Sequence, residues 1–155
     1  ECIRDDEFDG WLDNLESQEV VVIVDTCYSG GMIASGVPKG CQARCGSFRP
    51  VDAGETTVLV GDGFTKDVNQ EGRIVMTACA DDETSIELGP PYEHGLFTYY
   101  LLDGLTKSSV DASGNGWVSA EEVFPYLRPR VISVNPDQHP QMTDDIAGEV
   151  DLTQP

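Results

Sequence analysis

The chain carries a run of five consecutive β-branched residues, Val20–Val24, followed at once by Asp25, Thr26 and Cys27. The run is too short for a helix and does not alternate with polar residues, so it predicts a strand covered on both faces, as in the middle of a parallel sheet. Ser29-Gly30-Gly31 then marks a tight turn. Ligands of open α/β sheets bind beyond the carboxyl ends of the strands. Cys27 is therefore a candidate nucleophile, and the alternative is a small buried cysteine that only packs.

Helical and strand patterns alternate along the rest of the chain. Apolar residues recur at helical spacing, and shorter apolar runs predict further strands. Predicted helices are Asp5–Glu16, Ser29–Ala34, Gly95–Leu105 and Ser119–Arg130, and predicted strands are Val20–Asp25, Thr56–Val60, Arg73–Ala78 and an edge strand at Gly148–Thr153. Pro125 and Pro129 interrupt the last helix, and Pro125 is expected only in a first turn or at a kink. Residues 35–54, rich in Gly, Pro and Cys, predict a long surface loop.

Size and charge limit the classes of function. The 155 residues fit a single domain over residues 1–155. The 28 acidic and 9 basic residues give a net charge of −19, which disfavours binding to nucleic acid or to an anionic membrane. No apolar stretch approaches the length of a membrane span. Metal ions and peptides bearing Lys or Arg are the favoured partners, although a saline or secreted environment produces the same acidity.

The strand that ends in Asp25-Thr26-Cys27-Tyr28-Ser29-Gly30 resembles the nucleophile motif of caspase-like and metacaspase-type cysteine peptidases. The resemblance extends through Gly72–Ser85, similar to that family's next core strand and loop. It continues in His94–Leu102, similar to its Gly-x-Phe-Thr-x-x-Leu helix. The combined motifs span most of the chain from Asp5 onward. The resemblance implies an α/β fold, a caspase-like three-layer sandwich with a mostly parallel central sheet flanked by helices.

The resemblance also implies a chemistry, which is peptide-bond hydrolysis through Cys27 and a histidine. Asp25 is expected to line the pocket for the residue before the cut and to bind Arg or Lys there. Its carboxylate would disfavour a thiolate two residues away, so it is not the base. In this family the histidine precedes the cysteine strand, so we expect it, with the first strands, outside this chain, where a separate His-bearing chain is one arrangement. His94 and His139 fit surface or packing positions better.

The chemistry itself requires no cofactor. The partner is then a peptide or protein substrate with a basic residue at the cut. The alternative function is a catalytically inactive caspase-like scaffold or a calcium-responsive interaction module.

Residues 111–122 match the twelve-residue calcium loop of an EF-hand. The expected ligands are Asp111, Ser113, Asn115, Trp117 and Glu122, with Gly116 at the turn position. Only two of these ligands are acidic, so weak calcium binding is predicted. The alternative is a helix start, because Ser119 and Glu122 have the spacing of a capping box and Asn115-Gly116 is a turn signal.

Two further predictions concern a pair of acidic residues near the start of the chain and a pair of cysteines. Asp5 and Asp6 resemble the acidic residues that help bind calcium in metacaspases, and the alternative is that they only complement the helix dipole. Cys41 and Cys45 are close enough in sequence to pair, and reduced cysteines are the alternative.

Overall fold

A computed structural model describes residues 5–17, 19–26, 72–80, 83–87 and 94–155. The described elements are, in chain order, α1 (Asp5–Asp13), β1 (Val20–Val24), β2 (Arg73–Thr77), α2 (Leu96–Leu105), β3 (Val118–Ser119), α3 (Ala120–Val134), β4 (Gln141–Asp144) and β5 (Asp151–Thr153). The predicted helix Ser29–Ala34, the strand Thr56–Val60 and the loop 35–54 lie outside the described residues.

The main sheet has the order β1-β2-β4, with β2 in the middle. The strand β1 pairs parallel with β2, placing Val20 opposite Arg73 and Val24 opposite Thr77. The strand β4 pairs antiparallel with β2 on its other side. A second sheet joins β3 to β5 antiparallel, which confirms a strand at the predicted edge position in a shorter form. The main sheet is mixed and the second is antiparallel, and helices alternate with the strands along the chain, so an α/β fold is confirmed while a mostly parallel sheet stays a prediction.

Side chains of β2 alternate between two apolar clusters because successive residues of a strand point to opposite faces. Ile74 and Met76 pack in the larger cluster with residues of α2 and α3. Val75 packs with Val22 in a smaller one, against Phe8 of α1 and its neighbours. All five residues of β2 are buried, as its position in the middle of the sheet requires. The complete three-layer sandwich, which includes residues outside the described ranges, stays a prediction.

The helix α3 runs through Pro125 and Pro129, so the prediction that these prolines interrupt the helix is wrong, and Pro125 does not lie in its first turn. Pro125 is the sixth residue of the helix, past its first turn. Both prolines are exposed, whereas Val123, Leu127 and Val131 on the other face are buried. Carbonyls left without an N–H partner by the prolines therefore lie on the side where water can bind them.

Candidate active site

The carboxylate of Asp25 lies at the end of β1 and accepts three hydrogen bonds. Its Oδ1 accepts from the hydroxyl of Ser85 at 2.7 Å. Its Oδ2 accepts from the hydroxyl of Thr98 at 2.5 Å and from the Thr98 backbone N–H at 3.2 Å. The loop after β2 and the first turn of α2 thus meet at the carboxyl end of β1. This is the edge of a parallel strand pair at which ligands of α/β proteins bind.

Asp25 also acts as the N-cap of α2 from a distant part of the chain. The local N-cap residue, Gly95, has no side chain, and the helix has no acidic residue in its first turn. The N–H of Thr98, the third helical residue, is one of the donors that a helix start leaves without an intrahelical partner. A negative charge there is also favoured by the helix dipole. A Cβ at Gly95 would collide with the Asp25 carboxylate, so the close approach requires glycine.

A second set of polar contacts surrounds the loop after β2. The fully buried side chain of Gln138 accepts the N–H of Ile86 and donates to the carbonyl of Ala78 and to the hydroxyl of Ser85. Next to it, the carboxylate of Glu83 accepts from the backbone N–H of His139 at 2.6 Å and from its ring Nδ1 at 2.5 Å. The segment between α3 and β4 is thereby fastened to the edge that holds Asp25.

Glu83 is ionised more readily than an isolated glutamate. Partial burial acts to raise the pKa of Glu83, but the backbone N–H groups of His139 and Ala80, and then the His139 ring, lower it, and the net pKa is below its ordinary value. His139 is therefore engaged by a carboxylate, and its assignment to a surface or packing position stays a prediction. His94 is exposed.

The model of the caspase domain family matches residues 1–150 of the 155. The chain belongs to the caspase domain family. This family comprises cysteine peptidases, so the resemblance carried by the strand, loop and helix motifs is confirmed at the level of the family. No curated protein and no solved structure gives a significant match.

Within this caspase domain, the structure describes some of the predicted site residues and not others. Asp25 is described and half-buried. Cys27 lies outside the described residues, as do Cys41 and Cys45, and their predicted roles stay predictions. Cys79 is buried, with its Sγ 3.5 Å from the carbonyl of Thr26, and fits a packing role. Asp25 caps the start of α2, whose Thr98 N–H lies 73 residues away in sequence. The alternative role suggested by the sequence, a cap of the turn directly after β1, involves residues outside the described ranges.

The loop 111–122 is closed by its own hydrogen bonds. Asp111 accepts the backbone N–H groups of Gly114, Asn115 and Gly116. The two oxygens of Glu122 accept the N–H groups of Ser113 and Ser119. The Ser119 hydroxyl in turn accepts the N–H of Glu122, so the capping box offered as the alternative is present.

These bonds engage oxygens that an EF-hand turns toward calcium, although Asp111 Oδ2 and each oxygen of Glu122 accept only one of them. Asn115 Oδ1 likewise accepts the N–H of Trp117. Among the described residues, no group of three His, Cys, Asp or Glu side chains is placed to hold a metal ion. Calcium binding at Asp111, Ser113, Asn115, Trp117 and Glu122 stays a prediction. The side chains of Asp5 and Asp6 lie outside the part that the structure describes.

The two acidic residues among the predicted calcium ligands, Asp111 and Glu122, have lowered pKa values. For Asp111, desolvation acts to raise the pKa, and the N–H groups of Gly116, Gly114 and Asn115 bring it below its ordinary value. For Glu122, desolvation also acts to raise the pKa, and the N–H groups of Ser113 and Ser119 are the largest of the effects that lower it. Both carboxylates are thus stabilised in the charged form by backbone donors.

Three residues at the Asp25 edge were not predicted as site residues from the sequence: Ser85, Thr98 and Gln138. Ser85 and Thr98 stand within the segments that carry the family resemblance, which was the one available signal for them. Gln138 precedes His139 in a polar segment that gives no pattern.

Proposed function

We propose that this caspase domain hydrolyses peptide bonds after Arg or Lys, with Cys27 as the nucleophile and Asp25 as the residue that binds the basic side chain. The observation that carries the proposal is the rigidly held Asp25 carboxylate at the carboxyl end of β1, two residues before Cys27. A fixed carboxylate beside a nucleophile can discriminate between substrates through a charge-assisted hydrogen bond.

In the proposed reaction the Cys27 thiolate attacks the scissile carbonyl, and the amine leaves with a proton from a catalytic histidine. Water then hydrolyses the acyl-enzyme and regenerates the thiol. An unperturbed thiol is only about 3% ionised at pH 7, and Asp25 disfavours the thiolate, so that histidine is required as the base. The backbone N–H of Cys27 would contribute to the oxyanion hole.

The hydrogen bonds of Asp25 limit how it can bind a cation. Among the described residues, Oδ2 accepts two hydrogen bonds from Thr98, whereas Oδ1 accepts one, from Ser85. A carboxylate oxygen has about two acceptor positions, so Oδ1 has capacity for one more donor. A bidentate Arg contact needs both oxygens. The pocket is therefore expected to accept a single donor and to cleave after Arg and after Lys with similar efficiency, within about tenfold.

The test is covalent labelling of the full-length natural protein with peptide electrophiles that differ in their terminal residue: Arg, Lys or Asp. Labelling of Cys27 by the Arg and Lys probes, and not by the Asp probe, is the expected result, with mass spectrometry identifying the modified cysteine. Cys27→Ala should abolish labelling, and buried Cys79 serves as an internal control. Equal failure of all three probes would favour the second candidate, a non-catalytic caspase-like scaffold.

No helix of the described residues is long and apolar enough to cross a membrane. Substrates are proteins or peptides, as the family implies. The acidic surface favours basic segments of such substrates, since the net charge of −19 attracts cations over distances of about a Debye length.

A further inference from the structure

Gln138 places a primary amide in the interior, between α3 and β4, with no exposed surface. A buried amide is costly unless its polar atoms are hydrogen-bonded. Its Oε1 accepts the N–H of Ile86 at 3.2 Å, and its Nε2 donates to the carbonyl of Ala78 at 3.0 Å. Because the Ile86 N–H can only donate and the Ala78 carbonyl can only accept, the amide oxygen must face Ile86 and the amide nitrogen must face Ala78. The nitrogen therefore also faces the hydroxyl of Ser85, at 3.4 Å.

The direction of the next hydrogen bond follows from this arrangement. An amide nitrogen can only donate and a carboxylate can only accept. Because Gln138 Nε2 donates to the Ser85 oxygen, the hydroxyl proton of Ser85 is left to point at Asp25 Oδ1, 2.7 Å away. The carboxylate itself requires the Ser85 hydroxyl to donate, and Gln138, by donating to the same oxygen, restrains Ser85 in the position from which it supplies the hydrogen bond to Oδ1.

Oδ1 is the oxygen of Asp25 with capacity for a substrate. Within the part of the chain that the structure describes, Thr98 is the one donor to Oδ2, so without the Ser85 donor the carboxylate could turn about its Cβ–Cγ bond while keeping that contact. The hydrogen bonds from His139 to Glu83 keep the Gln138 segment against the loop that contains Ser85. The orientation of Oδ1 is therefore set by residues far from it in sequence.

We propose that Gln138 is a positioning residue for substrate selection, which acts through Ser85 to hold the Asp25 carboxylate in the orientation that receives a basic side chain. This proposal rests on the proposed function, because it assumes that Asp25 binds the residue before the cut. It assigns a role in specificity to a side chain that contacts neither substrate nor Cys27.

The test compares peptide substrates of the full-length natural protein that carry Arg or its neutral analogue citrulline before the cut. The ratio of the two kcat/KM values measures the contribution of charge recognition. Gln138→Met, which removes the amide while keeping side-chain length, and Ser85→Ala should each lower this ratio about tenfold, since Ser85→Ala removes a donor to the Asp25 carboxylate and Gln138→Met removes a donor that restrains Ser85. The double variant should lower it no further, because both changes break the same chain of contacts.

Gln141→Met is the matched control. Gln141 lies in the same segment, and its amide donates to the carbonyl of His139. This variant should keep the wild-type ratio. General damage to the fold lowers both kcat/KM values together and leaves the ratio unchanged, so the ratio separates positioning from stability.

The outcomes distinguish the two proposals. A wild-type protein without preference for Arg over citrulline overturns the proposed function, and with it this inference. A wild-type preference that Gln138→Met and Ser85→Ala both retain within twofold overturns this inference alone. If Gln138→Met does not fold, as thermal unfolding would show, Ser85→Ala decides, since it loses only a hydroxyl.

Discussion

The two oxygens of Asp25 face three donors that lie 60 and 73 residues away in sequence. The same carboxylate follows the last residue of β1, caps α2 and, in our proposal, binds a substrate cation. A hydrogen bond to a charged group contributes about 1.5–3 kcal/mol. The hydrogen bonds of the candidate binding residue thus also stabilise the domain. Substitutions around Asp25 should therefore affect stability and selectivity together.

Gly95→Ala should destabilise the domain by about 1–3 kcal/mol, because the added methyl group collides with the Asp25 carboxylate. The matched control is Gly10→Ala in α1, where a Cβ meets no atom within 4 Å. That substitution should stabilise by about 0.5–1 kcal/mol, since alanine favours a helix over glycine. Urea unfolding of the two variants would measure the difference. Equal effects would contradict the close contact at Gly95.

The same chemical change at two threonines should have opposite consequences. Thr98→Val removes a hydroxyl that donates to Asp25 and should cost about 1–3 kcal/mol. Thr143→Val removes a buried Oγ1 that has no hydrogen-bond partner among the described residues, so it should be neutral or stabilising by up to about 1 kcal/mol. Thermal unfolding in parallel checks both. Destabilisation by Thr143→Val comparable to that of Thr98→Val would contradict the hydrogen-bond assignment.

At this scale the sequence predicted Asp25 and its place after a strand, because a change from apolar to acidic residues is a local signal. It could not predict Ser85, Thr98 or Gln138 as partners. Those contacts depend on which loops the sheet brings together, and no local pattern records that.

The loop 111–122 and the start of α3 form one hydrogen-bonded element that depends on two carboxylates. The folded pKa values of Asp111 and Glu122 are lowered, so the stability that they contribute is present above their unfolded values of about 4 and is lost as pH falls through the lowered folded values. Fluorescence of Trp117 in a Trp11→Phe background should therefore change below about pH 4. Asp111→Asn should reduce this acid-dependent change. A loop signal that is insensitive to pH between 6 and 2 would contradict the assignment.

Calcium binding by this loop can be measured with the same Trp117 reporter and by calorimetry. The predicted affinity is weak, with a dissociation constant on the order of 0.1–1 mM, because only Asp111 and Glu122 are acidic among the five ligands. Glu122→Gln should abolish binding. Magnesium at equal concentration is the control. Absence of heat and of fluorescence change at 10 mM calcium would reject the metal and leave the capping box as the function of the loop.

Element boundaries followed the strength of the local pattern. The strand β1 and the helix α2 were predicted closely because their apolar residues form continuous or periodic runs. The strand β4 was not predicted, since Gln141-Met142-Thr143-Asp144 is polar and takes its strand form from pairing with β2. The helix α3 was predicted too short because Pro125 and Pro129 have a low helix propensity. Burial of the opposite face of the helix outweighs that propensity.

The molecule as a whole carries a net charge of −19, which opposes the compact state through self-repulsion. Raising NaCl from about 10 to 500 mM shortens the Debye length from about 30 Å to a few ångströms. We expect the midpoint of thermal unfolding to rise by about 3 °C, on the order of 1 kcal/mol for a domain of this size. Sucrose, which does not screen charge, is the control for general solute effects. A fall in the midpoint with salt would mean that attractive ion pairs dominate.

Two ion pairs made by one buried arginine should resist this screening. Arg73 is buried at the start of β2 and contacts Asp9 and Asp13 of α1 at 2.7 and 2.6 Å. Partly buried pairs are screened less than exposed ones. The attachment of α1 to the sheet is thus expected to persist at high salt.

Both sheets of the described structure are completed by the last part of the chain. The strand β4 at Gln141–Asp144 supplies one side of the main sheet, and β5 at Asp151–Thr153 pairs with the strand that precedes α3. During synthesis, the edge of β2 that pairs with β4 and the edge of β3 that pairs with β5 therefore stay unpaired until these residues have been translated. Unpaired strand edges expose chains to aggregation. The window between translation of β2 and release of residue 153 is when the nascent chain most needs protection by a chaperone.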